Sequence, residues 1–324
     1  MSKSFVHLHA HTEYSMLDGA AKINDYLKKV KELNQPAAAI TDHGNLYGAL
    51  EFVRQAEILD IKPIIGYEAY VTPGSRFDRP ERDKNKRYHL TLLAENNTGY
   101  QNLVELVSKA YLEGFYYKPR VDYDLLKEHA EGIIALSGCL GGEVAQHLAP
   151  DGSREEGNTA NEKSYEKALE KAKNYQNIFG QENFFIELHN HGINQQIQIL
   201  DDLVNISKEI DAPLVAANDS HYVSKDDSSA HDALLCVQTN ATMEDEDRFK
   251  FDGEEYYVKS SEEMRQLFPD DSFPNACDNT LKIADRINYE FSFEKDYLPD
   301  FPIEDSSLTV EEFLRKKVFI GAEQ

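Results

Sequence analysis

Seven short, almost wholly apolar runs alternate with amphipathic stretches along this chain, and that alternation most narrows its fold. The runs are FVHLH at 5–9, AAAIT at 37–41, PIIGYEAYV at 63–71, HLTLLA at 89–94, GIIALS at 132–137, FFIEL at 184–188 and PLVAAN at 213–218. Runs this short, dense in Val, Ile, Phe and Leu, read as strands buried on both faces. Between them lie helical patterns. Ala21–Leu33 repeats apolar residues at Ile23, Tyr26, Leu27 and Val30, and Leu50–Leu59, Tyr100–Tyr111, Tyr165–Phe179 and Gln195–Ile210 behave alike. Strand–helix alternation predicts parallel strands with helices packed outside. The fold class expected is α/β: a closed or nearly closed barrel of seven strands, with a doubly wound open sheet giving the same pattern.

Two stretches read as loops. Gly74–Arg87 is dense in charge, Pro and Gly, and Ala149–Lys163 runs through DGSREEGNTANEK. After Ser224 the pattern changes. Residues 249–258 (FKFDGEEYYV) suggest a hairpin around Asp252-Gly253. Ser260–Phe268, Ala276–Ile287 and Thr309–Ile320 suggest helices. The expected division is a barrel at 1–224 and a mixed extension at 225–324.

Composition limits the function classes. No apolar run reaches membrane-spanning length, and MSKSFVHLHAH lacks the pattern of a secretory signal. Three scattered cysteines, Cys139, Cys236 and Cys277, do not make a disulfide framework, so a cytoplasmic setting is expected. With 34 basic and 58 acidic residues, the net charge is −24. Such a chain repels polyanions on average. A nucleic-acid ligand therefore requires bound cations, or other parts of a larger protein, to supply the attraction.

The eleven histidines are unevenly placed. His7, His9 and His11 alternate along the first run, so strand periodicity puts them on one face. Asp18 follows in the next loop. His43 ends the second run, Glu68 lies late in the third, Cys139 follows the fifth, and Asp219 and His221 follow the seventh. In parallel α/β barrels the C-terminal ends of the strands converge on one mouth. His89 breaks the rule, because it opens the fourth run. Histidine, carboxylate and cysteine at one mouth form the donor set of Zn, Mn or Fe. Such centres hydrolyse phosphate esters by activating water and neutralising phosphoryl oxygens, without a protein nucleophile.

The stretches HLHAHTEYSMLDGA, AAAITDHGNLYGALEF, IKPIIGYEAYV, HLTLLAENNTGYQNL and VAANDSHYV resemble the motifs of the polymerase and histidinol phosphatase (PHP) superfamily. More narrowly, the chain resembles the N-terminal PHP domain of bacterial DNA polymerase III alpha subunits, through DNTLKIADRI and YLPDFP in its tail. The resemblance implies a distorted (β/α)7 barrel and nine metal ligands: His9, His11, Asp18, His43, Glu68, His89, Cys139, Asp219 and His221. It implies three divalent ions, Zn before Mn or Fe. His9, His11, Glu68 and Asp219 would hold one and carry catalysis through it. Glu68, His89 and Cys139 would hold the second, and Asp18, His43 and His221 the third. The implied activity is a 3′–5′ exonuclease acting on a DNA primer 3′ end. The implied partners are the rest of the polymerase and other replisome subunits. The rival readings are a structural module that docks a partner, and a phosphatase for a small phosphomonoester. Nothing resembles the acidic triad of a polymerase palm.

Other residues carry plainer expectations. Asp42 reads as a partner orienting a ligand histidine, and His7, one step deeper than His9, as structural or as a similar supporting partner. Glu187, His189 and His191 read as substrate-contacting or structural. Cys236 and Cys277 read as core, and His129 and His147 as solvated. Arg76, Arg79, Arg82 and Lys84 form either a solvated loop or a grip on a DNA strand.

Overall fold

The structure is a computed structural model that describes residues 4–81, 84–150, 163–289, 291, 302–303 and 307–323. The expected loop at Ala149–Lys163 lies mostly outside these residues, as do Arg82 and most of the YLPDFP stretch. Two compact units are present, 1–289 and 290–324.

In the first unit the strands are β1 (Ala37–Ile40), β2 (Lys62–Val71), β3 (Tyr88–Ala94), β4 (Arg120–Val121), β5 (Ile133–Leu136), β6 (Phe184–Leu188) and β7 (Leu214–Ala216). The helices are α1 (Ile23–Glu32), α2 (Ala49–Ile58), α3 (Asn97–Leu112), α4 (Tyr123–Glu128), α5 (Glu143–Leu148), α6 (Tyr165–Phe179), α7 (Asn194–Ile210), α8 (Ser228–Thr239), α9 (Ser261–Leu267) and α10 (Ala276–Arg286). The second unit contains α11 (Val310–Ala322), which starts on a capping box between Thr309 and Glu312.

The strands form one seven-stranded mixed sheet in the order β1-β2-β3-β5-β6-β7, with β4 added beside β2. The expectation of uniformly parallel strands fails at β3, which is antiparallel to both β2 and β5. The first apolar run forms no ladder strand. It lies extended between the two sheet edges instead. Its His7 and Ala10 carbonyls accept from Ala39 in the edge strand β1 and from Thr41 just after it, and His11 N–H donates to Ser220 beyond the other edge. This segment closes the curl of the sheet.

Side chains alternate across the strands as the pleat requires. Leu92, Ala135 and Phe184 pack outward under α3, α5, α6 and α7. Leu93, Ile134 and Phe185 point inward with Val6, Leu8 and Val215. The inner cluster is capped by Ile283 and Ala284 of α10. That helix is anchored at the strand ends, through Asn279 Nδ2 to the Leu214 carbonyl at 2.7 Å and the Asn288 N–H to the Glu95 carbonyl at 2.7 Å. The opposite rim is left for polar groups. Residues 249–258, expected as a hairpin, form a turn without a ladder, and Tyr256 accepts from the backbone of His221 and Tyr222.

Candidate metal centre

The antiparallel β3 explains His89. Because the strand runs backwards, its first residues lie beside the last residues of β2, with His89 opposite Tyr70 and Thr91 opposite Glu68. The donor at the start of β3 thus reaches the same rim as donors at the ends of parallel strands. His43 follows β1 and bridges to Glu68, Cys139 follows β5, and Asp219 and His221 follow β7. All nine residues singled out in the sequence come together at this rim.

Glu68 is the hub. Its Oε1 lies 3.0 Å from His89 Nδ1 and 3.3 Å from His9 Nε2; its Oε2 lies 2.5 Å from His43 Nδ1 and 3.6 Å from His11 Nε2. Asp219 Oδ1 faces His9 Nε2 at 3.3 Å and His11 Nε2 at 3.0 Å. Asp18 Oδ2 sits 3.0 Å from both His43 Nε2 and His221 Nε2. Cys139 Sγ stands at the edge, 3.8 Å from Glu68 Oε1 and 3.7 Å from His89 Nδ1.

The outer hydrogen bonds decide what faces inward. His9 Nδ1–H donates to Glu187 Oε1 at 2.7 Å, and His221 Nδ1–H to the Asp219 carbonyl at 2.8 Å. Ser15 donates its hydroxyl to Asp42, so its oxygen accepts from His11 Nδ1–H at 2.9 Å. A neutral imidazole carries one proton. In its neutral form each of these three rings therefore aims an Nε2 lone pair at a carboxylate oxygen about 3 Å away. His9 Nε2, His11 Nε2, Asp18 Oδ2, Glu68 Oε2 and Asp219 Oδ1 are buried and make no hydrogen bond. Lone pairs converging on anionic oxygens in a buried site repel unless a cation lies between them. Tetrahedral ligands at 2.0–2.2 Å from a metal stand roughly 3.4 Å apart, which is this spacing. The donor set therefore fits divalent metal. Among the described residues, His11–Asp18–His43–His221, His9–His11–Asp219 and His43–Glu68–His89 each gather within 4.8 Å.

In the protein alone, protons carry the positive charge. Burial lowers the pKa of His9, but Asp219, Glu187 and Glu68 outweigh it and hold that pKa well above normal. His43 rises to about 9 against its burial, because Glu68 and Asp18 flank it. Burial, with His43 and His221 as neighbours, pulls His11 down to about 3. Glu68 and Asp219 stay well below the carboxylate range despite burial, held by the surrounding histidines. Burial, with Glu68 and Asp219, pushes the Cys139 thiol up to about 11.

Several residues beside the cluster had weaker sequence signals. Asp42 accepts from Thr12 N, Thr12 Oγ1 and Ser15 Oγ, and so holds the loop joining His11 to Asp18. Glu187 is clamped between His9 and His189, and Thr91 and Gly138 N–H donate to it. His189 stands 3.0 Å from Glu187 with ring nitrogens that make no hydrogen bond, and His9, Glu187 and His189 form a further close group. His191 is fully engaged by the Asn218 carbonyl and Gln196. His7 donates to the Lys259 carbonyl, away from the cluster. Ser15, Thr91 and His231, the last donating to the Asp18 carbonyl at 2.8 Å, carried no sequence signal as isolated polar residues.

Two expectations need correction or narrowing. His147 is buried in α5 rather than solvated, and His129 is half-buried against Asn102 and Lys109. Arg76 is tied to Asp122 and Glu113, Arg79 to backbone carbonyls and Lys84 to Glu81. Cys236 and Cys277 are buried and free, as expected.

The family described as PHP domain matches residues 7–191. DNA polymerase III subunit alpha of Thermus aquaticus is 45% identical over 98% of this chain and 26% of its own length. The same subunit of Treponema pallidum is 44% identical over 98% of this chain and 26% of its own. That of Mycobacterium tuberculosis H37Rv is 46% identical over 93% and 26%. The chain thus spans about a quarter of the length of these relatives. Among solved structures, a putative metal-dependent phosphoesterase from Bifidobacterium adolescentis is 13% identical, with a TM-score of 0.39, over 67% of this chain and 87% of its own. No helix among the described residues is long and apolar enough to cross a membrane.

Proposed function

Because the chain belongs to the PHP domain family, we propose that it is a metal-dependent phosphodiesterase. We assign it as the 3′–5′ exonuclease that removes misincorporated nucleotides within a DNA polymerase III alpha subunit, working in the cytoplasm. The observation that carries this reading is the set of buried Nε2 lone pairs of His9, His11 and His221 aimed at Glu68, Asp219 and Asp18. Three divalent ions, Zn before Mn or Fe, fit the donors. His9, His11, Glu68 and Asp219 would hold one, Glu68, His89 and Cys139 a second, and Asp18, His43 and His221 a third. When bound, such ions supply Lewis acidity toward water and phosphoryl oxygens.

The chain's own residues supply position. Glu68 presents both oxygens at the centre and so ties the groups together. Glu187 and Ser15 fix the rings of His9 and His11, and Asp42 fixes the loop that carries Asp18. The buried wall excludes bulk water, which strengthens charge stabilisation of a phosphoryl group. Residues 225–324 are assigned as the extension leading toward the polymerase palm, with the primer 3′ end and other replisome subunits as partners.

The test pairs metal content with cleavage of a primer–template bearing a 3′ mismatch, using His9→Ala and Asp219→Asn as controls. About three metals per chain, with shortening from the 3′ end that both substitutions abolish, is the expected result. Cleavage confined to a small phosphomonoester replaces the exonuclease with a phosphatase. A folded chain that retains no metal after reloading leaves a structural, partner-docking module.

A further inference from the structure

Beside the metal-ligand cluster opens a cleft of about 550 Å³, and Asp18 and His43 line both. Its outer wall is aromatic. Tyr47, Phe115 and Tyr117 are 57%, 51% and 54% exposed, and Tyr111 is 37% exposed. Scattered exposed aromatics need no explanation, but a contiguous patch does. The Tyr47 and Tyr111 rings lie 6.4 Å apart, and the Tyr111 and Phe115 rings lie 6.1 Å apart and only 20° from parallel. The patch is built onto the site. A Cβ at Gly44, the residue after His43, would come within 2.9 Å of Pro119 Cγ, and Gly44 has a φ of +64°. The turn carrying His43 is therefore packed directly against the loop carrying Phe115 and Tyr117.

The charge of the cleft is opposite to that of the chain. Lys118 and Arg87 line it, and Asp18 of the ligand cluster is its lone carboxylate among the described lining residues, in a chain of net charge −24. Lys118 Nζ stands 5.1 Å over the Tyr70 ring. Aromatic faces in a row, interleaved with cations, are how proteins hold single-stranded nucleic acid without reading its sequence: bases stack on the rings and phosphates meet the cations.

We propose that this wall is a stacking platform for an unpaired nucleic-acid end, with Tyr47, Tyr111, Phe115 and Tyr117 receiving successive bases and Lys118 and Arg87 the phosphates. It deepens the phosphodiesterase reading above and rests on it for the identity of the scissile bond. The substrate class becomes a strand with several unpaired terminal nucleotides. A terminus still paired in a duplex offers its bases to its partner strand and gains little from the rings.

The test is binding, in low salt with the chain metal-loaded and with phosphorothioate-linked strands, so that the bound cations are present and hydrolysis does not enter. A fluorescein-labelled twelve-nucleotide oligothymidylate and an abasic strand of the same length and charge are titrated against the chain, with anisotropy as the readout. Stacked bases predict an affinity for the oligothymidylate on the order of ten-fold above that for the abasic strand. Tyr111→Ala and Phe115→Ala each lower it about five-fold or more, while Tyr111→Phe keeps it. Thermal melting followed by circular dichroism checks that the variants are folded. Equal affinity for the two strands overturns the platform without reference to any variant. So does an oligothymidylate affinity untouched in folded alanine variants, which would make the patch a protein-docking face. Hydrolysis of bis(p-nitrophenyl) phosphate by the unmodified, metal-loaded chain reports separately on the phosphodiesterase reading. The two can therefore fail independently.

Discussion

Asp42 offers the sharpest test of how the loop between His11 and Asp18 is held. Its carboxylate accepts from Thr12 N at 2.6 Å, Thr12 Oγ1 at 2.8 Å and Ser15 Oγ at 2.9 Å, all buried. A hydrogen bond to a charged group contributes about 1.5–3 kcal/mol, and a stranded buried donor costs a similar amount. Three of them suggest a loss of roughly 4.5–9 kcal/mol for Asp42→Ala. Burial opposes this: it raises the Asp42 pKa although Thr12 and Ser15 pull it down. The net expectation is therefore about 3 kcal/mol. Asp42→Asn behaves differently. Its amide oxygen keeps the Thr12 N–H and Ser15 bonds. Only the Thr12 hydroxyl, now facing an NH2 group, must find a new acceptor, for a loss of about 1 kcal/mol. Urea unfolding of the three proteins at neutral pH measures both. An asparagine variant as unstable as the alanine one would mean that the charge, not the bonding geometry, holds the loop. An alanine variant within 1 kcal/mol of wild type would refute the accounting altogether.

Four further outcomes follow from the same geometry. Glu187→Gln weakens the hold on the His9 ring and is expected to lower metal affinity by roughly 10–100-fold in a chelator competition; unchanged affinity removes Glu187 from the positioning role. Loading with Zn or Mn at about 100 times the dissociation constant adds about 2.7 kcal/mol, a rise of roughly 5–10 °C in melting temperature that Asp219→Asn should blunt; no rise argues against a native-state site. Burial lowers the His7 pKa from 6.5 to about 4, so the unfolded chain takes up a proton that the native one refuses. Stability is then full above pH 6.5 and falls between pH 6.5 and about 4 by up to about 3 kcal/mol; a pH profile unaltered in His7→Gln contradicts this. Gly99→Ala places a Cβ 1.7 Å from the Gly132 carbonyl oxygen, so α3 must shift off β5. A loss of about 3 kcal/mol or more is expected on unfolding, and a neutral result would refute that contact.

How much of this was legible in the sequence depended on whether a residue's role was local. Apolar runs and helical periods located β1, β2, β3, β5, β6, β7 and α10 because burial on both faces, or on one stripe, leaves a period. A run of apolar residues has no direction, however. The reversal of β3 is set by its neighbours, and it turned His89 from an exception into a rim residue. The two-residue β4 is too short for any period. His9, His11 and His43 stood out because their residue type is rare and clustered. Ser15 and His231 did not, since each acts on a partner far along the chain or looks like any surface polar residue. His147 reads as solvated by residue type alone, although Val144, Ala145 and Leu148 beside it are apolar; its burial comes from α5 packing against α6 and α7.

The closure of the sheet by residues 5–11 also sets an order of events during synthesis. The bonds of this segment to Ala39 and Thr41 can form as soon as β1 exists, whereas those to Ser220 wait for about 180 further residues, from Thr41 to Ser220. The segment made before every strand of the sheet is thus among the last to be docked on both sides, a high-contact-order closure that slows folding. Until then the half-docked His9 and His11 face an incomplete rim without Asp219. A nascent chain can therefore hold a metal only weakly, and the full site appears with the final turn of the barrel.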